Sequence, residues 1–309
     1  MKKIWTKPAV RWSLCLLCCL LWGSAFPCVK IGYEWFHISE TGSQVLFAGY
    51  RFFLAGVLTF LFGWAAEKKI PKLSKDAAGP VLVFGFFQTA VQYFFFYVGM
   101  ANTTGVKGSV INASYAFVSI IAAHFILKEK LNWQKGVGCL VGVAGVILIN
   151  LSPGAFGEGF AWNGEGMIVI CTTVYGLCAV AAKFVAKYAD AMTMTAYQLM
   201  FGGSVLTVAG FLMGGKIGYV DGKSLALLIY MALLSAVAFT LWTVLLKYNP
   251  VGKVTIFGFS IPIFGSVLSA VFMGEKLFSW KNLAALLLVS AGIIMVNKVS
   301  KDKGEHDVL

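Results

Sequence analysis

Residues 105–150 read GVKGSVINASYAFVSIIAAHFILKEKLNWQKGVGCLVGVAGVILIN, and residues 251–297 read VGKVTIFGFSIPIFGSVLSAVFMGEKLFSWKNLAALLLVSAGIIMVN. Each stretch is an apolar run of helical length, a short Glu-Lys-Leu hinge, and a second apolar run ending in Asn. Laid together without a gap, Lys107 falls on Lys253, Ser114 on Ser260 and Glu129 on Glu275, all at an offset of 146. One residue inserted after the hinge then brings Trp133 onto Trp280, Gly145 onto Gly292 and Asn150 onto Asn297. A repeat of that length means two homologous halves, because stacked solenoid repeats recur every 20 to 50 residues or so.

The surrounding chain tells what kind of halves these are. Of 309 residues, 59% are hydrophobic and 12% charged, with a mean hydropathy of +0.81. Soluble domains carry about 25% charge. The composition therefore predicts a polytopic membrane protein. The net charge of +12 does not point to nucleic acid, since the basic residues sit in short clusters between apolar runs and form no continuous face. The seven cysteines all fall inside apolar runs, where they read as small buried hydrophobes, and no disulfide, metal centre or cofactor is expected.

Crossing the hydrocarbon layer takes roughly 20 apolar residues. On that measure the chain holds ten spans, at about 12–33, 44–65, 79–100, 105–127, 132–151, 164–184, 193–213, 224–247, 253–273 and 280–298. The N-terminal run could pass for a signal peptide cleaved after Ala25, but its counterpart in the second half argues that it is retained: Trp22-Gly23 aligns with Tyr175-Gly176 and Lys30 with Lys183. Likewise Tyr50-Arg51 aligns with Tyr197-Gln198. The expected architecture is all-α: residues 1–151 form a first five-helix repeat after a short N-terminal segment, 152–298 a second, and 299–309 a tail. Five spans per half is an odd number, so the second half enters from the opposite side and the repeat is inverted. With the N-terminus inside, 18 of the 25 Lys and Arg residues lie at cytoplasmic ends and five outside: Lys107, Lys216, Lys223, Lys276 and Lys281. Both termini are thus expected in the cytoplasm.

Polar side chains within spans are costly in lipid and should face a cavity or a partner. At helical spacing, Trp22, Phe26 and Lys30 share a face of span one, and Tyr175, Ala179 and Lys183 share one of span six. Trp22 and Tyr175 are placed as cavity lining; the two lysines either join them or snorkel to the headgroups. Gln88 and Gln92 lie one turn apart in span three, Asn112, Tyr115 and Ser119 on one side of span four, and Ser235, Phe239 and Trp242 along span eight, where Ser235 reads as core packing. Ser260, the counterpart of Ser114, completes the candidate lining.

Other positions read as structural. Arg51, two turns into span two, needs an acidic residue, a freed carbonyl or an anionic substrate group as partner. Pro262 is a bending point of span nine. Glu129 and Glu275 at the hinges are assigned surface charge pairs or helix-terminus roles. No carboxylate falls near a span midpoint, and Gly138-x3-Gly142 in span five is a small-residue packing face with no nucleotide-loop context.

Ten spans in two inverted halves, the Trp22-Gly-Ser-Ala-Phe26 opening of span one, Tyr50-Arg-Phe-Phe-Leu-Ala-Gly56 in span two and the repeated Glu-Lys-Leu hinge together resemble the drug/metabolite transporter superfamily, EamA type, over roughly residues 12–298. Ala116 stands where that pattern has Pro in span four, so the two halves are expected to bend unequally. The resemblance implies a cavity lined by spans one, three, four, six, eight and nine, with five and ten peripheral. It implies a secondary transporter of a small organic metabolite, working as an exporter in the cell membrane; the aromatic and amide lining, with no acid at mid-depth and basic groups at the ends, favours an amino acid or organic anion. The alternatives are a lipophilic-cation exporter of the same fold, a channel or scramblase, and an intramembrane enzyme, the last disfavoured by the lack of HExxH and GxSxG motifs. The expected partners are the substrate and the bilayer, without nucleic acid, and a homodimer is left open.

Overall fold

The computed structural model describes residues 2–303 apart from 69, 129–130, 151–159, 219, 250–253, 255 and 276–279. Among the described residues it holds ten long helices: α1 (Pro8–Trp35), α2 (Thr41–Glu67), α3 (Lys75–Ala101), α4 (Gly105–Ile126), α5 (Trp133–Asn150), α6 (Trp162–Val185), α7 (Ala191–Leu212), α8 (Gly222–Tyr248), α9 (Phe257–Met273) and α10 (Trp280–Lys303). These coincide with the expected spans, α9 beginning a few residues late. Polar residues between the apolar runs start several of them. Ser74 Oγ accepts from Ala77 N, Thr104 Oγ1 from Lys107 N, and Asp190 Oδ1 from Met192 N and Thr193 N, while Asp221 and Ser224 cap α8 reciprocally.

Glycines set the tightest helix pairs. The α2 and α7 backbones meet so closely that a Cβ on Gly203 would collide with the Phe53 nitrogen, and one on Gly210 would lie 2.6 Å from Leu46 N. Around this axis the pairings repeat with the halves exchanged: α1 packs on α8 and α9, as α6 packs on α3 and α4. The helices α5 and α10 pair with each other on the periphery. That is the pattern of an inverted repeat with a pseudo-two-fold axis. Outward-facing apolar side chains such as Leu212, 84% exposed, and Phe125, 75% exposed, find an apolar solvent only in lipid, and exposed Trp133, Trp162 and Trp280 sit at helix ends, where interfacial tryptophans belong. The protein is a ten-helix integral membrane protein.

Two local features depart from the expectation. The first is the bend of the two halves. Helix α4 is interrupted at Ala113–Ser114 despite Ala116, and α9 changes from a 3-10 turn (Ile256–Phe259) to α-helix at the equivalent place. In α4 the Ser114 hydroxyl donates to the Ile111 carbonyl at 2.7 Å, a local competition with the helix ladder that breaks it without proline. Pro262 stands in the first turn of the α-helical part, where its missing N–H removes no internal bond. The second is a π-helical turn (Phe86–Val91) inside α3, which contains Gln88 and ends just before Gln92. Helix α1 is part of the core, with Cys15, Cys18 and Cys19 fully buried, and all seven cysteines are free thiols.

Candidate functional site

Between the halves lies a cavity lined by Trp22, Ala25 and Phe26 of α1, Arg51 of α2, Gln92, Tyr93 and Phe96 of α3, Asn112 and Tyr115 of α4, Tyr175 of α6, Phe239 of α8 and Ile261 of α9. In this conformation it leaves about 60 Å3 open to water-sized molecules, less than the roughly 300 Å3 of the smallest drug-sized pockets. The walls are aromatic. Tyr115 and Tyr175 lie 4.4 Å apart at 35°, Trp22 meets Phe239 and Trp242 edge-on at 5.7 and 5.0 Å, and Phe26 meets Phe96 at 5.5 Å.

Three polar groups interrupt the aromatic wall. Gln92 Oε1 accepts from Gln88 Nε2 at 2.9 Å, so Gln88, buried behind the wall, orients Gln92 and does not line the cavity itself. Asn112 Oδ1 faces the Cys171 thiol at 3.8 Å. Arg51 is 3% exposed and held on neutral partners: Nη1 donates to Tyr97 Oη at 3.0 Å, Nη2 to Ser235 Oγ at 3.0 Å, and Nε to Ser235 Oγ and Met231 O at 3.3 Å, with Phe52 stacked against the guanidinium at 4.8 Å. Among the described residues no carboxylate lies within ion-pair distance of Arg51, and none of the cavity-lining residues is acidic. Ser235, read from sequence as core packing, is thus the main acceptor for the arginine.

Of the ten candidate lining residues, Trp22, Gln92, Asn112, Tyr115 and Tyr175 are brought together in the cavity, and Gln88, Lys30, Lys183, Trp242 and Ser260 are not. Trp242 stacks behind Trp22, and Ser260 is buried in the first turn of the α-helical part of α9. Lys30 is half-buried and faces a separate pocket, its Nζ donating to Thr103 O at 2.7 Å; Lys183 is exposed near the other end of α6. Glu129 lies outside the described residues. Glu275 accepts from the Gly105 and Val106 amides at 2.8 and 2.9 Å, so it caps α4.

The sequence reading missed a buried ion pair. Lys107, counted there among the basic residues outside, and Glu165 are 2% and 3% exposed and joined at 3.2 Å. The π-turn that opens α6 (Trp162–Gly166) aims Glu165 inward, where Oε1 also accepts from Thr103 Oγ1 at 2.6 Å and Oε2 from Ala161 N at 2.8 Å. Glu165 and Glu275, both from the second half, therefore hold the Thr103–Lys107 stretch of the first.

The EamA-like transporter family profile matches residues 12–151 and again 162–298. An uncharacterized transporter of Bacillus subtilis, YetK, is 25% identical over 81% of this chain and 77% of its own. A probable amino-acid metabolite efflux pump of Salmonella typhimurium is 21% identical over 91% of this chain and 92% of its own. A crystal structure at 16% identity superposes with a TM-score of 0.70, covering 95% of this chain and 98% of that one, which shows the shared fold. Two copies of the profile, one in each half and together covering nearly all ten helices, show that the chain belongs to the EamA-like transporter family.

Proposed function

We propose that the protein is a secondary transporter that exports a small carboxylate-bearing metabolite, an amino acid or organic anion, across the cytoplasmic membrane by alternating access between its two halves, with both termini in the cytoplasm. The observation that carries this reading is Arg51: a guanidinium at the cavity wall with, among the described residues, hydroxyl and carbonyl partners only. A buried charge is stabilised best by an opposite charge, and a substrate carboxylate would supply it. Gln92 and Asn112 add amide groups that can fix the rest of a small polar substrate, and the aromatic rings exclude water. The name of the Salmonella efflux pump points to the same substrate class, and the positive-inside count supports the orientation. No nucleophile with an adjacent base lines the cavity, so catalysis has no support there.

The aromatic box favours a second reading, a lipophilic cation held over ring faces. Arg51 opposes it, since a cation would sit beside an uncompensated positive charge. Thermal stabilisation of the purified protein separates the two: a ligand that binds only the folded state at about 100 times its Kd adds about 2.7 kcal/mol. Organic anions should stabilise the parent and not Arg51→Met, and amino acids should stabilise Arg51→Met less than the parent, with Arg51→Lys weakened because an ammonium cannot reproduce the planar fork. Stabilisation by lipophilic cations alone, unchanged in Arg51→Met, would refute the carboxylate reading.

A further inference from the structure

A second pocket lies where α1 ends, on the side of the protein that holds the Lys107–Glu165 pair. It is lined by Lys30, Tyr33, Glu34, Ser39, Gln44 and Met100, among others, and has a volume of about 260 Å3. Its chemistry differs from that of the central cavity, because opposite charges stand one helical turn apart on its wall. Lys30 and Glu34 make no ion pair with each other, and Lys30 Nζ spends one of its three donors on Thr103 O. Gln44 is 5% exposed, and while its Nε2 donates to Ser39 O at 3.3 Å, its Oε1 is buried and has no hydrogen-bond partner among the described residues. A buried amide oxygen left unsatisfied in a polar pocket marks the place of a missing donor.

We infer that this pocket is a second binding site, for a small zwitterion carrying an ammonium and an anionic oxygen group. The ammonium lies between Glu34 and Gln44 Oε1, and the anionic end meets the remaining donors of Lys30. Tyr97 links the pocket's Tyr33 to Arg51 of the central cavity. Tyr33 Oη donates to Tyr97 O at 2.7 Å, Tyr97 Oη accepts from Arg51, and Tyr33, Phe47 and Tyr97 pack edge to face within 6.3 Å. Through Thr103, Lys30 is also one residue from the Glu165–Lys107 pair. The position is that of an outer station on the path from the central cavity, beyond the Arg51 site and distinct from it.

The test measures binding, not transport, so it stands or falls apart from the carboxylate export proposed above. Protein carrying Arg51→Met, which disables the central anchor, and the parent protein are placed in phosphatidylglycerol nanodiscs and titrated with L-alanine, propionate and ethylamine. The expected result is that L-alanine binds in both and that in the Arg51→Met protein each singly charged probe binds about tenfold more weakly or worse, the loss of one good polar interaction. Glu34→Gln and Gln44→Leu should each reduce L-alanine affinity by about tenfold; Glu34 is exposed, so its substitution remains informative if Gln44→Leu disturbs packing. Nanodiscs containing phosphatidylethanolamine identify the source of the zwitterion. Competition there makes the occupant a lipid headgroup, and its absence makes it a free amino acid, both by the same recognition. Equal affinity for the three probes, no binding in the Arg51→Met protein, or indifference to both pocket substitutions would overturn the inference.

Discussion

Replacing Lys107 with Met removes the cation from the buried pair and leaves the Glu165 carboxylate, whose side chain is 4% exposed, accepting from Thr103 Oγ1 and Ala161 N at 2.6 and 2.8 Å. Breaking a buried ion pair by removing one partner costs about 3–5 kcal/mol, because the remaining charge has lost both water and counter-charge. Two surviving hydrogen bonds place Lys107→Met near the lower end, about 3 kcal/mol. Glu165→Gln deprives Lys107 of its carboxylate and should cost a similar amount. The double variant buries no charge there, so its cost should be about 3–4 kcal/mol and not the about 6 kcal/mol of the sum, a coupling of about 2–3 kcal/mol. Equilibrium unfolding in mixed micelles, followed by tryptophan fluorescence, measures the cycle. Costs that add to within about 0.5 kcal/mol, or a Lys107→Met cost below about 1 kcal/mol, would refute the claim that these two residues form a desolvated pair.

Gly203→Ala should destabilise the protein by about 1–3 kcal/mol in the same assay, since its Cβ would strike the Phe53 backbone, whereas Gly79→Ala, with nothing within 4 Å, should be neutral or stabilise by up to about 1 kcal/mol. The backbone amide of Ser224, and then its hydroxyl, hold the Asp221 carboxyl below its ordinary pKa. The cap's stabilisation is therefore present above the unfolded-state pKa and fades as pH falls through the lowered folded-state value. Melting temperatures of the parent should drop over that acid range relative to Asp221→Asn, and parallel pH profiles would contradict the assignment. A fluorescent protein fused after Leu309 should fluoresce, and alkaline phosphatase at the same place should be silent, if 18 basic residues against five set the orientation.

The architecture was legible because apolar length and repetition are one-dimensional properties. A run near 20 residues must span, an odd number of spans per half must invert the second half, and the ten helices lie where those rules put them. Half of the proposed cavity lining was legible for a related reason: Trp22, Gln92, Asn112, Tyr115 and Tyr175 are polar or amphipathic groups deep in apolar helices, which lipid penalises. Phe26, Phe96 and Phe239 carry no such mark, since an aromatic ring suits lipid, core and cavity equally.

What only the tertiary structure decided is which distant groups meet. Arg51 finds Ser235 184 positions away, Lys107 finds Glu165 at 58 and Glu275 finds the α4 amides at 170 and 169. Those meetings depend on helix rotation, which is set by close glycine contacts between α2 and α7 and by local breaks at Ser114 and in the π-turns of α3 and α6. The sequence by itself determined the number, length and inverted order of the helices, because each follows from hydrophobicity along the chain. The empty charge balance at Arg51, the closed pair at Lys107 and Glu165, and the unsatisfied Gln44 arise from packing, where a rotation of a fraction of a turn decides whether a polar group meets a partner or a cavity.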